Sequence, residues 1–323
     1  MKKILITGGL GYIGSHISYL LKNRAIILDS GINSNLNYKK FLPKSEVIKK
    51  KISKKILSEI FKKNEIEAVI HLAALKSVGN SVYDPINYYQ NNFVSSLDLL
   101  YAMQRYSVNN LIFSSSATVY GNKNISPLKE DMSLESTNPY GSTKIAIEKL
   151  IEEYCQSNSD FKAISLRYFN PIGANVHAGL SDSPKGEAQN LMPVIIQSAK
   201  SNKTLRIFGA DYNTKDGTCI RDYIHVKDLA KSHILCLKSI KNLKGFNPIN
   251  IGLGKGVSVI ELIKIFEKTN NIKIKYKISP RRKGDVAICY SSNKKMLNLL
   301  SWKPKFSYQE MVRDAWVVKK DNE

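Results

Sequence analysis

The feature that most limits what this chain can become is its opening turn. Lys3-Ile4-Leu5-Ile6-Thr7 is a short apolar run ending in Gly8-Gly9-Leu10-Gly11-Tyr12-Ile13-Gly14, after which Ile17, Leu20 and Leu21 continue at helical spacing from Ile13. The pattern predicts a strand, a glycine turn and a helix. Glycines let the backbone approach a pyrophosphate, and the N-terminus of a helix supplies N–H donors for it. Taken alone, G-x-x-G-x-x-G fits a generic tight turn equally well. Here, however, the next apolar strand, Ala25-Ile26-Ile27-Leu28, runs into Asp29. A carboxylate at the tip of the second strand binds adenosine ribose hydroxyls and repels a 2′-phosphate, so a dinucleotide fold is expected, with NAD favoured over NADP.

The rest of the first half keeps that rhythm. Ser45-Glu46-Val47-Ile48 reads as a short edge strand, and Ile52, Ile56, Leu57, Ile60 and Phe61 read as a helix. The strand Ala68-Val69-Ile70-His71-Leu72 is followed by Ala73-Ala74, which are small enough for backbone or cofactor to pass closely. His71, inside an apolar run, reads as a packed core histidine rather than a catalyst. A long helix is expected over 86–105, and Asn91-Asn92 in its middle are poor helix formers, so at least one has a bonding task. Asn110-Leu111-Ile112-Phe113 leads into Ser114-Ser115-Ser116, three hydroxyls at the carboxyl end of a strand, where open α/β sheets bind ligands. With the strand at 163–167, the alternation up to about residue 170 predicts a doubly wound parallel α/β sheet.

Between those two strands lies Asn138-Pro139-Tyr140-Gly141-Ser142-Thr143-Lys144, opening a helix in which Pro139 takes the first position, where its missing N–H costs nothing. Tyr140 and Lys144 fall one turn apart on the same face. An ammonium beside a phenol favours the phenolate, so the pair can act as a base near neutral pH. A bare Y-x-x-x-K is far more often two surface side chains, and only its surroundings raise it above that.

Beyond residue 170 the texture changes. Residues 171–190 are rich in Gly, Ser and Pro and read as a loop over a site, followed by a helix at 191–199. Strands are expected at 205–209, 221–226 and 246–251, and helices at 226–237, 257–268 and 310–319. Residues 1–170 are therefore expected to form the cofactor domain, with about 215–240 packing back onto it, and 171–323 a smaller α/β substrate domain. Arg281-Arg282-Lys283-Gly284-Asp285 is either a charged surface turn or a diphosphate clamp.

Composition excludes several classes. The formal charge of +22 invites a nucleic-acid reading, but only eight of the basic residues are Arg. The lysine excess from Lys39 through Lys49-Lys50-Lys51 to Lys62-Lys63 lacks aromatic interleaving, so no specific nucleic-acid partner is expected. No apolar run is long enough to span a membrane, and no signal peptide is seen, so membrane insertion is not expected. The scattered cysteines, Cys155, Cys219, Cys236 and Cys289, fit reduced thiols in a cytoplasm, and the five histidines show no metal-ligand spacing.

Taken together, these stretches resemble one family, the UDP-glucose (UDP-galactose) 4-epimerases of the extended short-chain dehydrogenase/reductase superfamily. The resemblance covers essentially the whole chain. It is carried by TGGLGYIGSH at 7–16, SSSATVYG at 114–121, NPYGSTK at 138–144, RYFNPIGA at 167–174, NLMP at 190–193, DGTCIRDYIHVKDLA at 216–230 and RRKGD at 281–285. It implies that Tyr140 is the catalytic base, that Lys144 lowers its pKa and binds nicotinamide ribose, and that Ser116 hydrogen-bonds the hydroxyl at the sugar C4. It also implies that Gly8, Gly11, Tyr12, Ile13, Gly14 and Asp29 bind NAD, helped by Ala73, Lys76, Asn91 and Tyr168. Asn170, Asn190, Leu191, Arg221, Arg282 and Asp285 match positions that hold uridine, ribose or diphosphate. The implied reaction oxidises C4 to a 4-keto sugar, lets the sugar swing about its anchored diphosphate, and returns hydride and proton to the other face. A homodimer through helices at 86–105 and 138–157 is implied as well.

The chain departs from the family pattern in places. Lysines at 49–51 stand where an acidic residue usually contacts adenine, Asn23-Arg24-Ala25 replaces a Gly-His turn, and Val94-Ser95-Ser96 replaces a Gly-Thr pair. At Cys289 the family carries either a bulky Tyr or a small residue. A Cys leaves space for a 2-N-acetyl group, which predicts that UDP-GlcNAc and UDP-GalNAc are also interconverted, although a merely structural cysteine is the rival reading. A mainly N-acetylhexosamine epimerase is one alternative. A nucleotide-sugar 4,6-dehydratase is another, and is disfavoured because Ser116-Ala117-Thr118 lacks the acidic residues that elimination needs.

Overall fold

Seven parallel strands form the large sheet of the computed structural model, in the spatial order Phe246–Ile251, Lys162–Tyr168, Asn110–Ser116, Ile66–His71, Lys3–Thr7, Ala25–Leu28 and Glu46–Ile48. All residues are described except 186, 187, 189, 283, 322 and 323, together with the side chains of 319–321. Ile4, Leu5, Ile6, Ile26, Ile27 and Leu28 are fully buried, as continuous apolar strands must be when helices cover both faces of a parallel sheet. From the first strand the chain winds outward to Glu46–Ile48 and then returns to the other side with Ile66–His71. That reversal is the switch point at which such sheets bind ligands. In register, Thr7 faces Leu28 and His71, and Ser116 faces Tyr168, so the carboxyl ends align along one edge.

Two apolar layers clothe this sheet. On one face Ile4, Ile6, Ile17, Ile27 and Ile70 pack with Leu229, Ala230 and Cys236 of the helix Val226–Ser239. Ile249, Ile251, Met296 and Leu300 belong to the same cluster, so the return of later segments reaches further than 215–240. On the other face Leu5, Leu28, Leu57, Phe61, Leu99, Met103, Ile147 and Ile151 pack together. A second core gathers Ile195, Ile207, Tyr223, Leu262, Phe266 and Val312 around small sheets of two, three and two strands.

Two expected elements are interrupted. The helix expected over 86–105 consists of Pro85–Tyr88, a widened π turn at Tyr89–Val94, and Ser95–Arg105. The strand expected over 221–226 is split into Ile220–Arg221 and Tyr223–His225, which pair with different neighbours. Asp222 sits at the break, where its carboxylate accepts the N–H groups of Leu253 at 2.7 Å, Gly254 at 3.1 Å and Ser291 at 3.1 Å, and the Ser291 hydroxyl at 2.6 Å. A fully buried carboxylate needs such a set of donors. They pin the chain at the point where it changes sheets.

Candidate active site

The glycine turn forms as expected. Gly8 adopts φ +74°, and a Cβ there would lie 2.7 Å from the Ala73 nitrogen; at Gly14 a Cβ would lie 2.3 Å from the Gly8 carbonyl oxygen. The helix Tyr12–Leu21 is capped by Gly11 without any side-chain hydrogen bond, which leaves its first amides, those of Tyr12 and Ile13, open to an anion. Asp29 accepts the Leu10 amide at 2.9 Å and the Gly31 amide at 2.7 Å, which fixes its carboxylate beside that turn. A bare cradle, free helix-end donors and a carboxylate at the second strand tip suit the pyrophosphate and ribose of NAD. Ala73 donates its amide to Thr7 Oγ1 at 3.4 Å, and Lys76 is exposed. Close to Asp29, Lys185 Nζ donates to the Gly31 carbonyl at 3.1 Å and the stem of Lys49 covers Gly31, so the lysine-rich stretch packs over this end of the site.

At the neighbouring strand end, Ser116 Oγ accepts the Thr118 amide at 3.3 Å. Asn138 caps the helix Pro139–Ser157 by accepting the Gly141 amide at 2.9 Å, which seats Tyr140 in the first turn. Tyr140 is half-buried, and Ser116 is among the groups that stabilise its ionised form. Thr118 Oγ1 is buried without a hydrogen-bond partner among the described residues, beside Ser116 in sequence.

In the chain by itself, burial sets the ionisation of Tyr140 and Lys144. Burial pushes the Tyr140 phenol up to about 12 and pulls Lys144, 2% exposed, down to about 7, with Glu148 opposing the latter. The ammonium donates to the Ser114 carbonyl at 2.7 Å and lies 5.8 Å from the Tyr140 ring centroid. Desolvation is the largest influence on both groups in the chain by itself, and Ser116 is what favours the phenolate.

Asn91, Asn92 and Tyr168 each make hydrogen bonds within the chain. Asn91 donates to the Asn87 carbonyl at 2.9 Å, one turn back, so it does not supply the interior bonding. That falls to Asn92, which accepts the Leu75 amide at 2.8 Å and donates to the Leu75 carbonyl at 3.0 Å. The Tyr168 hydroxyl is taken by His233 Nε2 at 2.5 Å.

On the far side of the crevice, Arg221, Arg282, Asp285 and Cys289 come together. Arg221 donates to the Ile220 and Val286 carbonyls at 2.9 and 2.7 Å, and lies 3.8 Å from Asp285. Asp285 also pairs with Arg282 at 3.1 Å, and Arg282 lies over the Phe208 ring at 4.9 Å. Cys289 faces Arg221 in register and packs against the cluster of Val119, Tyr120, Leu128 and Phe169. Burial pushes its thiol up to about 11. Asn170 donates its amide to the Asp222 carbonyl at 2.9 Å, next to Arg221. Asn190 precedes the helix Leu191–Ser201 and is exposed, with Leu191 partly buried. Within the stretch Arg281–Asp285, Lys283 lies outside the described residues. Arg281 is held apart from Arg282 by Asp211 at 2.7 Å and by the Tyr212 ring.

A nucleotide cradle at the switch point and a Ser/Tyr/Lys group at the next strand end define a short-chain dehydrogenase/reductase-type site. Residues 4–252 match the model of the NAD dependent epimerase/dehydratase family, to which the chain belongs. Within that family its relatives are narrower in kind. A UDP-glucose 4-epimerase of Bacillus subtilis (strain 168) is 41% identical over 97% of this chain and 95% of its own length. Among solved structures, the UDP-glucose-4-epimerase of Stenotrophomonas maltophila with bound NAD and formylated UDP-arabinopyranose superposes with a TM-score of 0.95 at 38% identity, covering 100% of this chain and 99% of that one. The UDP-glucose 4-epimerase of Bifidobacterium longum in complex with NAD+ and UDP gives 0.94 at 37% identity, with 99% of each chain covered.

Proposed function

We propose that this chain is an NAD-dependent isomerase that interconverts UDP-galactose and UDP-glucose by inverting the sugar C4. The observation that carries the reading is the meeting of Ser116, Tyr140 and buried Lys144 at the strand edge that also holds the Gly8 cradle and Asp29. Gly8, Gly11, Tyr12, Ile13, Gly14 and Asp29 hold the NAD pyrophosphate and ribose. NAD, when bound, supplies a reversible hydride acceptor and the positive charge that lowers the nearby phenol.

Tyr140 removes the C4 hydroxyl proton, keeps it on its phenol oxygen while the sugar is a 4-ketone, and returns it at the end. Ser116 and Thr118 orient the C4 oxygen. Lys144, fixed by the Ser114 carbonyl, places a charge beneath the phenol. Arg221 and Arg282 anchor the diphosphate, with Asn170, Asn190 and Leu191 on the uridine and ribose, so that the hexose alone is free to turn over. Asp285 sets both arginines. The short helix Ala117–Tyr120 carries no carboxylate, which disfavours elimination of water by a dehydratase route. Product analysis with UDP-galactose tests the reading: the wild type forms UDP-glucose, Tyr140→Phe does not, and an active Tyr140→Phe would sink it.

Three finer points belong to the same proposal. Cys289 leaves room for a 2-N-acetyl group, so UDP-GalNAc and UDP-GlcNAc are substrates too. Residues 1–170 serve mainly the cofactor and 171–323 mainly the UDP-sugar. The protein acts in the cytoplasm as a homodimer. Dimerisation is supported by the exposed apolar side chains of Tyr83, Ile86, Tyr89, Leu97 and Tyr101, at 89, 82, 42, 44 and 51% exposure, on one surface stretch.

A further inference from the structure

A buried run of hydrogen bonds links the glycine turn to the Tyr140 turn. The Ala73 amide donates to Thr7 Oγ1, which lies 2.6 Å from His71 Nδ1. Across the ring, His71 Nε2 is 2.8 Å from Ser96 Oγ, and Ser96 donates to the Asn92 carbonyl at 2.6 Å. Asn92 Nδ2 donates to Thr143 Oγ1 at 3.2 Å, and Thr143 donates to the Tyr140 carbonyl at 2.7 Å. Thr7, His71, Ser96, Asn92 and Thr143 are all at most 2% exposed.

The hydroxyls give this run a direction. Each carries one proton. Since Ser96 donates to Asn92, it must accept from His71, which fixes the ring as the Nε2–H tautomer. Nδ1 is then an acceptor for the Thr7 hydroxyl. Every link points the same way, from the Ala73 N–H to the Tyr140 carbonyl. An imidazolium could not accept from Thr7. Burial, with Lys144 adding to it, lowers His71 to about 3, so the ring remains neutral. The π turn at Tyr89–Val94 carries Asn92, whose carbonyl and side chain serve two different links.

We propose that His71 is a positioning residue for the epimerisation. Through Ser96, Asn92 and Thr143 it ties the Tyr140 turn, and Lys144 one turn on, to the end of the first strand and to Ala73. The inference rests on the Tyr140/Lys144 reading of the site. It gives the histidine of an apolar strand a task without contact to the substrate.

His71→Phe keeps the ring shape and removes both bonds, Thr143→Val removes the last link, and Thr143→Ser keeps it. Against a wild type turning over UDP-galactose, His71→Phe and Thr143→Val each lower kcat roughly ten- to a hundredfold, with KM changed less than about threefold. Thr143→Ser restores kcat, and the double variant is no slower than the slower single one, as for groups acting as a unit. Either single variant retaining wild-type kcat, or losses that multiply in the double variant, would overturn the inference alone. An inactive wild type would remove the site reading and the inference with it. Should a variant fail to fold, long-range 1H–15N spectra of histidine-labelled wild type decide: His71 is expected as Nε2–H at every pH at which the protein stays folded, and an Nδ1–H ring or one titrating near neutrality overturns the chain.

Discussion

Arg167 and Glu148 meet at 2.7 Å with side chains only 3 and 2% exposed, one helical turn beyond Lys144. The pair is fully dressed. Glu148 also accepts the Ser165 hydroxyl at 2.7 Å, and Arg167 donates to the Tyr120 hydroxyl and the Glu130 carbonyl, both at 3.0 Å. It clamps the helix that carries Tyr140 and Lys144 to the strand Lys162–Tyr168 beneath it.

Breaking one half of that pair strands a buried charge. Arg167→Met is expected to lower unfolding free energy by about 3–5 kcal/mol, and replacing both partners with apolar residues to recover much of it. Denaturant titration of the single and double variants checks this. A single variant as stable as wild type would mean that the carboxylate finds another partner.

The phenol is held near 12 by burial in the chain alone, so its ionisation depends on added positive charge. Tyrosinate difference absorbance should be missing at neutral pH in cofactor-stripped protein and appear when oxidised NAD is restored. Tyr140→Phe should abolish the difference. Equal spectra with and without cofactor would place the activating charge within the protein.

Cys289→Tyr fills the space next to Arg221. Turnover of UDP-GalNAc should fall at least about tenfold while that of UDP-galactose changes little, since the discrimination is steric. Competition assays with both sugars read this out. Equal losses would assign Cys289 to packing.

Acid should destabilise the fold through its buried histidines. His16, His71 and His233 are lowered by burial to about 4, 3 and 4 from 6.5. Between those values and 6.5 the unfolded chain binds more protons, so stability is complete above 6.5 and falls as pH drops toward 4. Asp222, raised to about 6 from 3.8 by burial, and Asp228, also raised by burial, act the other way, two carboxylates against three imidazoles. Urea midpoints measured across the range should decline on acidification, and a flat profile would refute the buried neutral state.

The exposed stretch around Ile86 and Tyr101 should be covered in solution. Light scattering is expected to give a dimer for the wild type and a monomer for Ile86→Asp combined with Tyr101→Asp. A monomeric wild type would leave that patch to another partner.

The strand ends and their hydroxyls were legible because glycines, Asp29 and the Asn138-Pro139 pair are punctuation whose physical meaning is local. A doubly wound parallel sheet followed from alternation, but the joining of Phe246–Ile251 to its edge did not. What stayed hidden depended on distance. The Asn91-Asn92 pair signalled a bonding task, yet which amide turns inward is decided by a π turn that no periodicity announces. The spacing of the phenol and the ammonium was legible, whereas the Ser114 carbonyl and the depth of burial that act on them in the chain alone belong to the packed fold. The break at Asp222 was masked by the apolar residues after it, since its donors come from residues 253, 254 and 291. Glu148 and Arg167 are 19 positions apart, so nothing local marks them as partners.

The outermost strand on one side of the sheet, Phe246–Ile251, comes from far along the chain and pairs with Lys162–Tyr168. A nascent chain released at residue 170 would present a bare edge of hydrogen-bonding groups and an open apolar face, an invitation to aggregate. Ile249, Ile251, Met296 and Leu300 supply part of the apolar cover of the sheet that carries the glycine turn, so residues 1–170 made alone are expected to expose that face.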